Sequence, residues 1–267
     1  MSRKSNDVTR YPGAGLITVL FFLFLYLPIA VVIFYSFNEN RLISVWTGFS
    51  LKWYASALQN RNLMDAVKMS LLVASIATTI ATTVALMAAL VLTRTKGVKY
   101  ARMSEAMVNL PLLLPEIVVA VAVLILFSQI GLSNGLLRLV IAHTTFCIPF
   151  AFLPIRARLK DMDPAYEEAA RDLYATGWTA FRRVTLPLII PGVFAGAMLA
   201  FVMSLDDFIT SNMLASGGTT TLPIYIFGLI KVGTTPELNA ISTFIILFSL
   251  TLATAALLLT FRSPRLR

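Results

Sequence analysis

Six long apolar runs leave this chain few ways to fold outside a lipid bilayer. The first, Ala14 to Phe37, contains 24 residues and as a helix would be roughly 36 Å long, enough to cross a membrane. Hydrophobic residues make up 58% of the chain and charged residues only 13%, which excludes a soluble domain of this length. We interpret the first run as an uncleaved span, because its apolar core is too long for a signal peptide and no small-residue cleavage site follows.

The six runs predict six membrane-spanning helices. Within a bilayer every backbone polar group must be satisfied by the segment itself or by protein partners, which favours helices. The predicted fold is an all-α membrane protein with a single six-span domain at residues 14–261, between polar tails at 1–13 and 262–267. The expected spans are 14–37, 69–92, 105–127, 135–155, 188–205 and 238–261.

Three of the spans have features beyond hydrophobicity. The second is rich in Ala and Thr, and since small residues let helices approach closely, we expect it inside the bundle. The third contains Pro111 and Pro115, each of which removes a backbone donor and leaves a carbonyl in need of another partner. In the fifth, Gly192 and Gly196 are four residues apart, a spacing that permits close helix contact but is frequent by chance.

The positions of Lys and Arg orient the spans. If the N-terminus is cytoplasmic, 16 of the 22 basic residues fall on the cytoplasmic side, as expected from the positive-inside bias of membrane proteins. Both termini and the loop between the fourth and fifth spans are then cytoplasmic. The net charge of +9 therefore needs no nucleic-acid partner to explain it.

The loop between the fourth and fifth spans contains the only long polar stretch, Asp163 to Pro187, which we call the docking segment. Asp163 can cap a helix whose first turn carries Pro164. Glu167 and Glu168 follow, and both acids favour the positive end of the helix dipole. Thr176 can cap a second short helix. Two short helices at a membrane surface are suited to docking a soluble protein; the alternative is an ordinary amphipathic surface helix.

Part of the docking segment resembles a known family. The resemblance to the EAA loop of binding-protein-dependent ABC importer permeases rests on Glu168, Ala169, Ala170, Val184, Leu186 and Pro187. In that family the loop enters a groove on a cytoplasmic ATPase and transmits its closure. The connector 32–58 and the stretch SLDDF at 204–208 resemble the polyamine (spermidine/putrescine) branch of the family.

The resemblance implies the fold and the assembly. The fold would be the transmembrane domain of type I ABC importers (MetI-like), with an EAA coupling loop at 156–187. The partners would be two cytoplasmic ATPase subunits, a second permease subunit and a periplasmic or extracellular solute-binding protein. The implied function is import of putrescine or spermidine across a bacterial inner membrane by alternating access. Permeases of this fold for ferric iron, thiamine or an opine remain alternatives, as does a non-ABC channel.

One position departs from the family pattern. Tyr174 stands where the family usually has Gly, after Glu168–Ala170 and three intervening residues. If this position requires a left-handed backbone, Tyr costs roughly 1 kcal/mol relative to Gly. The alternative is that the first helix runs on and Gly177 makes the break.

Three carboxylates in or beside the spans are candidate substrate-path residues: Glu116, Asp206 and Asp207. A charge at the centre of a bilayer costs roughly 2.5 kcal/mol or more, so it normally faces a cavity or a partner. Glu116 could instead form a structural pair with another helix, and the two aspartates could be a helix-end cluster facing water. An acidic path suits a cationic cargo.

Aromatic residues in the first connector are candidates for a rim that meets the binding protein: Trp46, Trp53 and Tyr54. Anchoring at the membrane interface is the stronger interpretation for each ring. The single histidine, His143, is expected to be satisfied within the bundle, and the single cysteine, Cys147, to be a buried hydrophobe. One His and one Cys exclude a multi-histidine or multi-cysteine metal site, and the sequence contains no P-loop. We therefore expect no cofactor, no metal and no enzymatic activity, with ATP hydrolysis supplied by a partner.

Overall fold

The chain is almost entirely helical in the computed structural model, which describes residues 14–41, 45–95, 99–233 and 236–261. Across these ranges the only β pairing is a bridge between Asn38 and Phe49. The predicted tails, 1–13 and 262–267, lie outside the described residues. The helices are α1 (Ala14–Ser36), α2 (Lys52–Gln59), α3 (Arg61–Arg94), α4 (Ala101–Leu113), α5 (Glu116–Gln129), α6 (Gly135–Asp161), α7 (Ala165–Asp172), α8 (Gly177–Ala180), a π-helical turn (Phe181–Thr185), α9 (Leu186–Asp206), α10 (Ile209–Leu214), α11 (Leu222–Val232) and α12 (Pro236–Phe261).

The prediction of an all-α membrane protein is confirmed. In the described part of the chain, four helices are long and apolar enough to cross a membrane, at Gly15–Ser36, Arg61–Arg94, Gly135–Asp161 and Gly177–Asp206. They coincide with the predicted first, second, fourth and fifth spans. Helix α12 covers the predicted sixth.

The third predicted span is not one helix. Its residues form α4 and α5, which meet at Leu114 and Pro115 with a bend of 102°. Leu114 and Pro115 have extended ψ angles of 142° and 129°, because proline lacks a backbone N–H and disfavours helical geometry in the residue before it. Pro111 is accommodated within α4. The break places Glu116 at the first position of α5 instead of near the middle of a span.

The fifth predicted span also begins earlier than expected. The second short helix of the docking segment does not end before Pro187; it continues through the π-helical turn into α9 as one apolar helix, Gly177–Asp206. Pro187 cannot donate to the carbonyl four residues earlier, and the helix widens to π geometry at this place. The docking segment is thus continuous with a membrane-spanning helix.

The structure divides into two compact units, residues 1–60 with 229–250 and residues 61–228 with 251–267. The core of the second unit lies where α6 packs against α3 and α9. Helix α3 contributes Ala81, Ala85 and Ala89, all fully buried. Their spacing of four places them on one helix face, and their small size lets the helices approach closely. The second span therefore packs inside, as predicted, and Cys147 of α6 is buried in the same core.

The two glycines of α9 make its contact with α6 possible. A Cβ atom on Gly196 would lie 2.5 Å from the carbonyl oxygen of Ala151, and one on Gly192 would lie 2.6 Å from Cβ of Arg158. Both distances are shorter than van der Waals contact, so any larger residue must push the helices apart. The predicted close approach at this glycine pair is confirmed.

Replacement of Gly196 by alanine is expected to destabilise the protein. The added methyl group meets the backbone of Ala151, and overpacking of this kind costs about 1–3 kcal/mol. The thermal unfolding temperature of the purified protein in detergent should fall. Gly228→Ala is the matched control, because it lies in α11 with nothing within 4 Å of its Cβ position. Equal unfolding temperatures for the two variants would contradict the packing argument.

Candidate functional site

The first helix of the docking segment, α7, has the expected start and an informative end. The Asp163 carboxylate accepts a hydrogen bond from the Ala165 N–H at 2.9 Å. At the other end, Tyr174 has a φ of 61°, in the left-handed region. The Ala175 N–H donates to the Ala170 carbonyl and the Tyr174 N–H donates to the Arg171 carbonyl, which is the bond pattern of a Schellman helix end. Tyr174 therefore makes the break, and the alternative that placed it at Gly177 is wrong.

Tyr174→Gly is expected to stabilise this turn by about 1 kcal/mol, because glycine enters the left-handed region without the steric cost borne by other residues. No packing is lost, since the Tyr174 side chain is 96% exposed. Amide hydrogen exchange in residues 165–175 should slow accordingly. The control is Leu173→Gly, where φ is −86° and glycine offers no relief of strain. Slower exchange in both variants, or in neither, would contradict this explanation.

The second helix of the docking segment, α8, begins as predicted. The Thr176 hydroxyl accepts a hydrogen bond from the Thr179 N–H at 3.3 Å. Gly177 is the first residue of α8 and lines a cavity of about 150 Å³ between the docking segment and the end of α3. Leu186 packs against the core of the second unit, and the exposed Pro187 follows it in the first turn of α9.

The base of the docking segment is tied to α3 by Glu167, which the sequence identified only as an acid at the start of a helix. Glu167 Oε1 accepts from Arg94 Nε at 3.1 Å and from the Thr185 hydroxyl at 2.8 Å. Arg94 also donates to the carbonyl of Met162 at 3.1 Å. Glu167 thus joins the end of α3, helix α7 and the π-helical turn. These contacts connect α7 to α3 and to the turn that leads into α9.

The outer surface of the docking segment carries Glu168, for which no side-chain hydrogen bond or ion pair is found among the described residues. Glu168 and Ala169 are exposed, whereas Ala170 is half-buried. Leu173 and Trp178, which flank Tyr174, are also largely exposed. Exposed aromatic side chains such as Trp178 are enriched at protein interfaces, and a charged group such as Glu168 is compatible with their polar rim.

The three candidate carboxylates converge on one cavity of about 400 Å³. Glu116, Asp206 and Asp207 all line it, although Glu116 is distant from the aspartates in sequence. Glu116 is positioned by the break before α5, and the aspartates by the end of α9. The rest of the wall is mainly apolar and aromatic, with contributions from Pro111, Val119, Phe146, Phe150, Met203 and Phe208. The arrangement places three carboxyl groups in an open cavity with mainly apolar walls.

The carboxylates of this cavity differ in their surroundings. Glu116 and Asp206 are exposed, whereas Asp207 is 7% exposed. The Asp207 carboxylate accepts from the backbone N–H groups of Thr210 at 3.2 Å and Ser211 at 2.7 Å, which caps α10. Its Oδ2 also lies 3.3 Å from Nε2 of His143. The alternative that both aspartates form a cluster facing water is therefore wrong for Asp207.

His143 is satisfied within the helices, as predicted. Its Nδ1 lies 2.7 Å from the Ser204 hydroxyl and its Nε2 lies 3.1 Å from the Ser211 hydroxyl. No acidic residue lies near His143 in the sequence. The partners are 61 to 68 residues away, and only the packing of α6 against α9 and α10 brings them together.

The candidate rim residues lie in the first unit and are engaged in internal contacts. The Trp53 indole N–H donates to the Asn38 carbonyl at 2.9 Å, and the Tyr54 hydroxyl lies 2.5 Å from that of Ser36. The Trp46 ring stacks on Phe34 at 4.4 Å between centroids and keeps 40% of its surface exposed. These contacts hold the connector in shape and leave Trp46 the most open of the three.

Comparisons with known proteins agree with this architecture. Residues 81–266 match the family described as binding-protein-dependent transport system inner membrane component. The chain is 36% identical over 245 residues to the putrescine transport system permease protein PotI of Escherichia coli K12, with 90% of this chain and 87% of that protein covered. It is 35% identical over 252 residues to the spermidine/putrescine transport system permease protein PotC of the same organism, with 94% and 95% covered.

A solved structure shows the same fold. The bacterial alginate ABC transporter in complex with an alginate pentasaccharide-bound periplasmic protein has a chain that superposes with a TM-score of 0.67 at 19% identity, covering 93% of this chain and 90% of that one. The matched family spans most of the sequence, including the docking segment and all three cavity carboxylates. This chain belongs to the family of inner membrane permease components of binding-protein-dependent ABC transport systems, and it is a transport subunit, not an enzyme.

Proposed function

We propose that this chain is one of two permease subunits of an ATP-driven importer of polyamines, with putrescine or spermidine as cargo. The observation that carries the proposal is the cavity in which Glu116, Asp206 and Asp207 meet within apolar and aromatic walls. A polyamine has ammonium groups joined by methylene chains. Carboxylates attract the ammonium groups, most strongly where water is scarce, and the apolar walls contact the methylenes.

The relatives support this cargo. PotI and PotC are named for transport of putrescine and of spermidine/putrescine, and each is at least 35% identical to this chain over most of its length. An acidic cavity is consistent with that class of cargo. Aromatic faces add to the match, because Phe146, Phe150 and Phe208 line the same cavity and aromatic rings attract ammonium groups.

The docking segment is the proposed contact with a cytoplasmic ATPase, of which the assembly would contain two copies. Its exposed face carries Glu168, and its base is tied through Glu167 to α3 and through the π-helical turn to α9. ATP-driven closure of the ATPases would move α7 and shift both long helices. The cavity would then open to the opposite side, where a solute-binding protein delivers the cargo, and hydrolysis would reset it.

The proposed membrane topology follows from the contact of the docking segment with a cytoplasmic ATPase. Both termini and the docking segment face the cytoplasm of a bacterial cell, and the connector that bears Trp46, Trp53 and Tyr54 faces the binding protein on the other side. The excess of Lys and Arg on the cytoplasmic side supports this orientation. The second permease subunit is expected to be a related, non-identical chain.

Uptake measurements test the cargo. The chain is expressed with its cognate ATPase, second permease subunit and binding protein in cells that lack their own polyamine importers. Uptake of labelled putrescine or spermidine should appear only with the complete set. Thiamine, ferric iron and opines should not compete. Uptake of one of these instead, with no polyamine transport, would contradict the proposed cargo while leaving the importer assignment intact.

A further inference from the structure

We infer that His143 is a positioning residue for polyamine transport: it holds the Asp207 carboxylate as a fixed anchor, so that Glu116 and Asp206 are the carboxylates that meet the cargo. This inference rests on the proposed function, which treats Glu116, Asp206 and Asp207 as one group. The inference gives Asp207 a different role from the other two. It is carried by hydrogen-bond geometry around a buried histidine that joins α6 to the end of α9 and the start of α10.

His143 is 1% exposed and lies on α6, facing the break between α9 and α10. Its ring meets Ser204 of α9, Ser211 of α10 and Asp207 between the two helices. The other charged groups of this region, Glu116 and Asp206, line the cavity next to Asp207. A single side chain therefore fixes the place where the chain turns beside the cavity.

The surroundings of the His143 ring determine which nitrogen carries the proton. Nε2 lies within 3.3 Å of Asp207 Oδ2, and an ionised carboxylate only accepts hydrogen bonds. A bare Nε2 lone pair would face the carboxylate lone pairs, so Nε2 must carry the hydrogen. In the neutral ring Nδ1 then accepts from the Ser204 hydroxyl at 2.7 Å. This tautomer satisfies both nitrogens and makes the histidine a donor to Asp207.

The Asp207 oxygens already accept from two backbone N–H groups of α10 and are in contact with His143. A carboxylate held by this many donors is rigid, and little of it is left to follow a moving ammonium group. Glu116 and Asp206 are exposed, and Glu116 is also in side-chain hydrogen-bond contact with Asp207. The cavity thus combines one fixed carboxylate with two that are open to the cargo.

Two amide substitutions separate positioning from packing. In His143→Gln the amide nitrogen comes close to the place of Nε2 and can still donate to Asp207. In His143→Asn the side chain is shorter and its nitrogen comes close to the place of Nδ1, which leaves Asp207 without this donor. Polyamine uptake by the complete importer should stay near the wild-type rate for the Gln variant and fall about tenfold for the Asn variant.

A double variant identifies the residue through which His143 acts. If its effect passes through Asp207, His143→Asn combined with Asp207→Asn should transport no worse than Asp207→Asn alone. Copurification of the ATPase with each variant confirms that the importer is assembled. Multiplicative losses in the double variant would mean that His143 acts by another route and would overturn the inference.

The same experiment distinguishes this inference from the proposed function. Wild-type uptake of putrescine or spermidine is the reference. If it is present and the Gln and Asn variants transport equally well or equally poorly, the positioning role is wrong and the proposed function stands. If wild-type uptake of polyamines is absent, the proposed function is wrong and this inference fails with it.

Discussion

Glu168→Lys is expected to reduce uptake at least about tenfold while the protein still inserts in the membrane. Glu168 is exposed on α7, and no described contact within the chain requires its charge. At the proposed ATPase interface, however, the lysine would face a partner surface that is complementary to a carboxylate. Placing like charges against each other across an interface costs several kcal/mol of binding free energy. ATP hydrolysis and cargo movement should become uncoupled, which is measured as labelled polyamine imported per ATP hydrolysed in proteoliposomes.

Asp65→Lys is the matched control for this variant. Asp65 is also exposed and undergoes the same change in charge, but it lies on α3, outside the docking segment and the 156–187 loop. It should transport at close to the wild-type rate, because its exposed pair with Lys68 contributes little. Normal coupling in Glu168→Lys, or equal losses in both variants, would contradict the role proposed for the docking segment.

Neutralising the two accessible carboxylates of the cavity is expected to abolish polyamine uptake. Glu116→Gln or Asp206→Asn alone should reduce the rate about tenfold, since a hydrogen bond to a charged group contributes about 1.5–3 kcal/mol. The double variant should lose nearly all uptake. The substitutions conserve size, so the ATPase should still copurify. The rate is measured with labelled putrescine and spermidine.

Asp65→Asn is the control for loss of a negative charge. Asp65 is exposed on α3, lies 3.7 Å from Lys68 and does not line the cavity. Surface pairs of this kind contribute little, so transport should be unchanged. Uptake at the wild-type rate in the Glu116→Gln, Asp206→Asn double variant would contradict a role for these two carboxylates in transport and would leave them a structural role only.

The apolar runs predicted most of the fold because a membrane span needs little more than length and hydrophobicity. The third run shows the limit of that argument. Pro111 and Pro115 look alike in sequence, yet Pro111 is accommodated within α4 and Pro115 breaks the helix. The difference depends on how neighbouring helices receive the freed backbone groups, which a single sequence does not contain.

Within the docking segment, the helix start at Asp163 could be predicted because capping is local. The left-handed backbone at Tyr174 could be named only as one of two alternatives. Its observed φ of 61° is unfavourable for tyrosine, as for any residue with a Cβ atom. The different surroundings of Glu167 and Glu168 could not be predicted from the sequence either. The two are adjacent, but one faces Arg94 and the other solvent.

The cavity was predicted in part. A charge within an apolar run is costly, and this identified Glu116, Asp206 and Asp207 as candidates for one path. Their convergence on one cavity required the bend before α5. The link from His143 to Asp207 had no sequence signal, because it depends on the rotation of α6 relative to α9.

Site-directed crosslinking at Glu168 tests the central claim most directly. The one native cysteine, Cys147, is buried, so Glu168→Cys supplies a single accessible thiol for a short bifunctional reagent in the assembled importer. The account predicts an adduct with the ATPase that changes in yield when ATP is added. Absence of any ATPase adduct, or labelling of this thiol only from outside intact cells, would contradict the claim that the docking segment couples the permease to ATP hydrolysis.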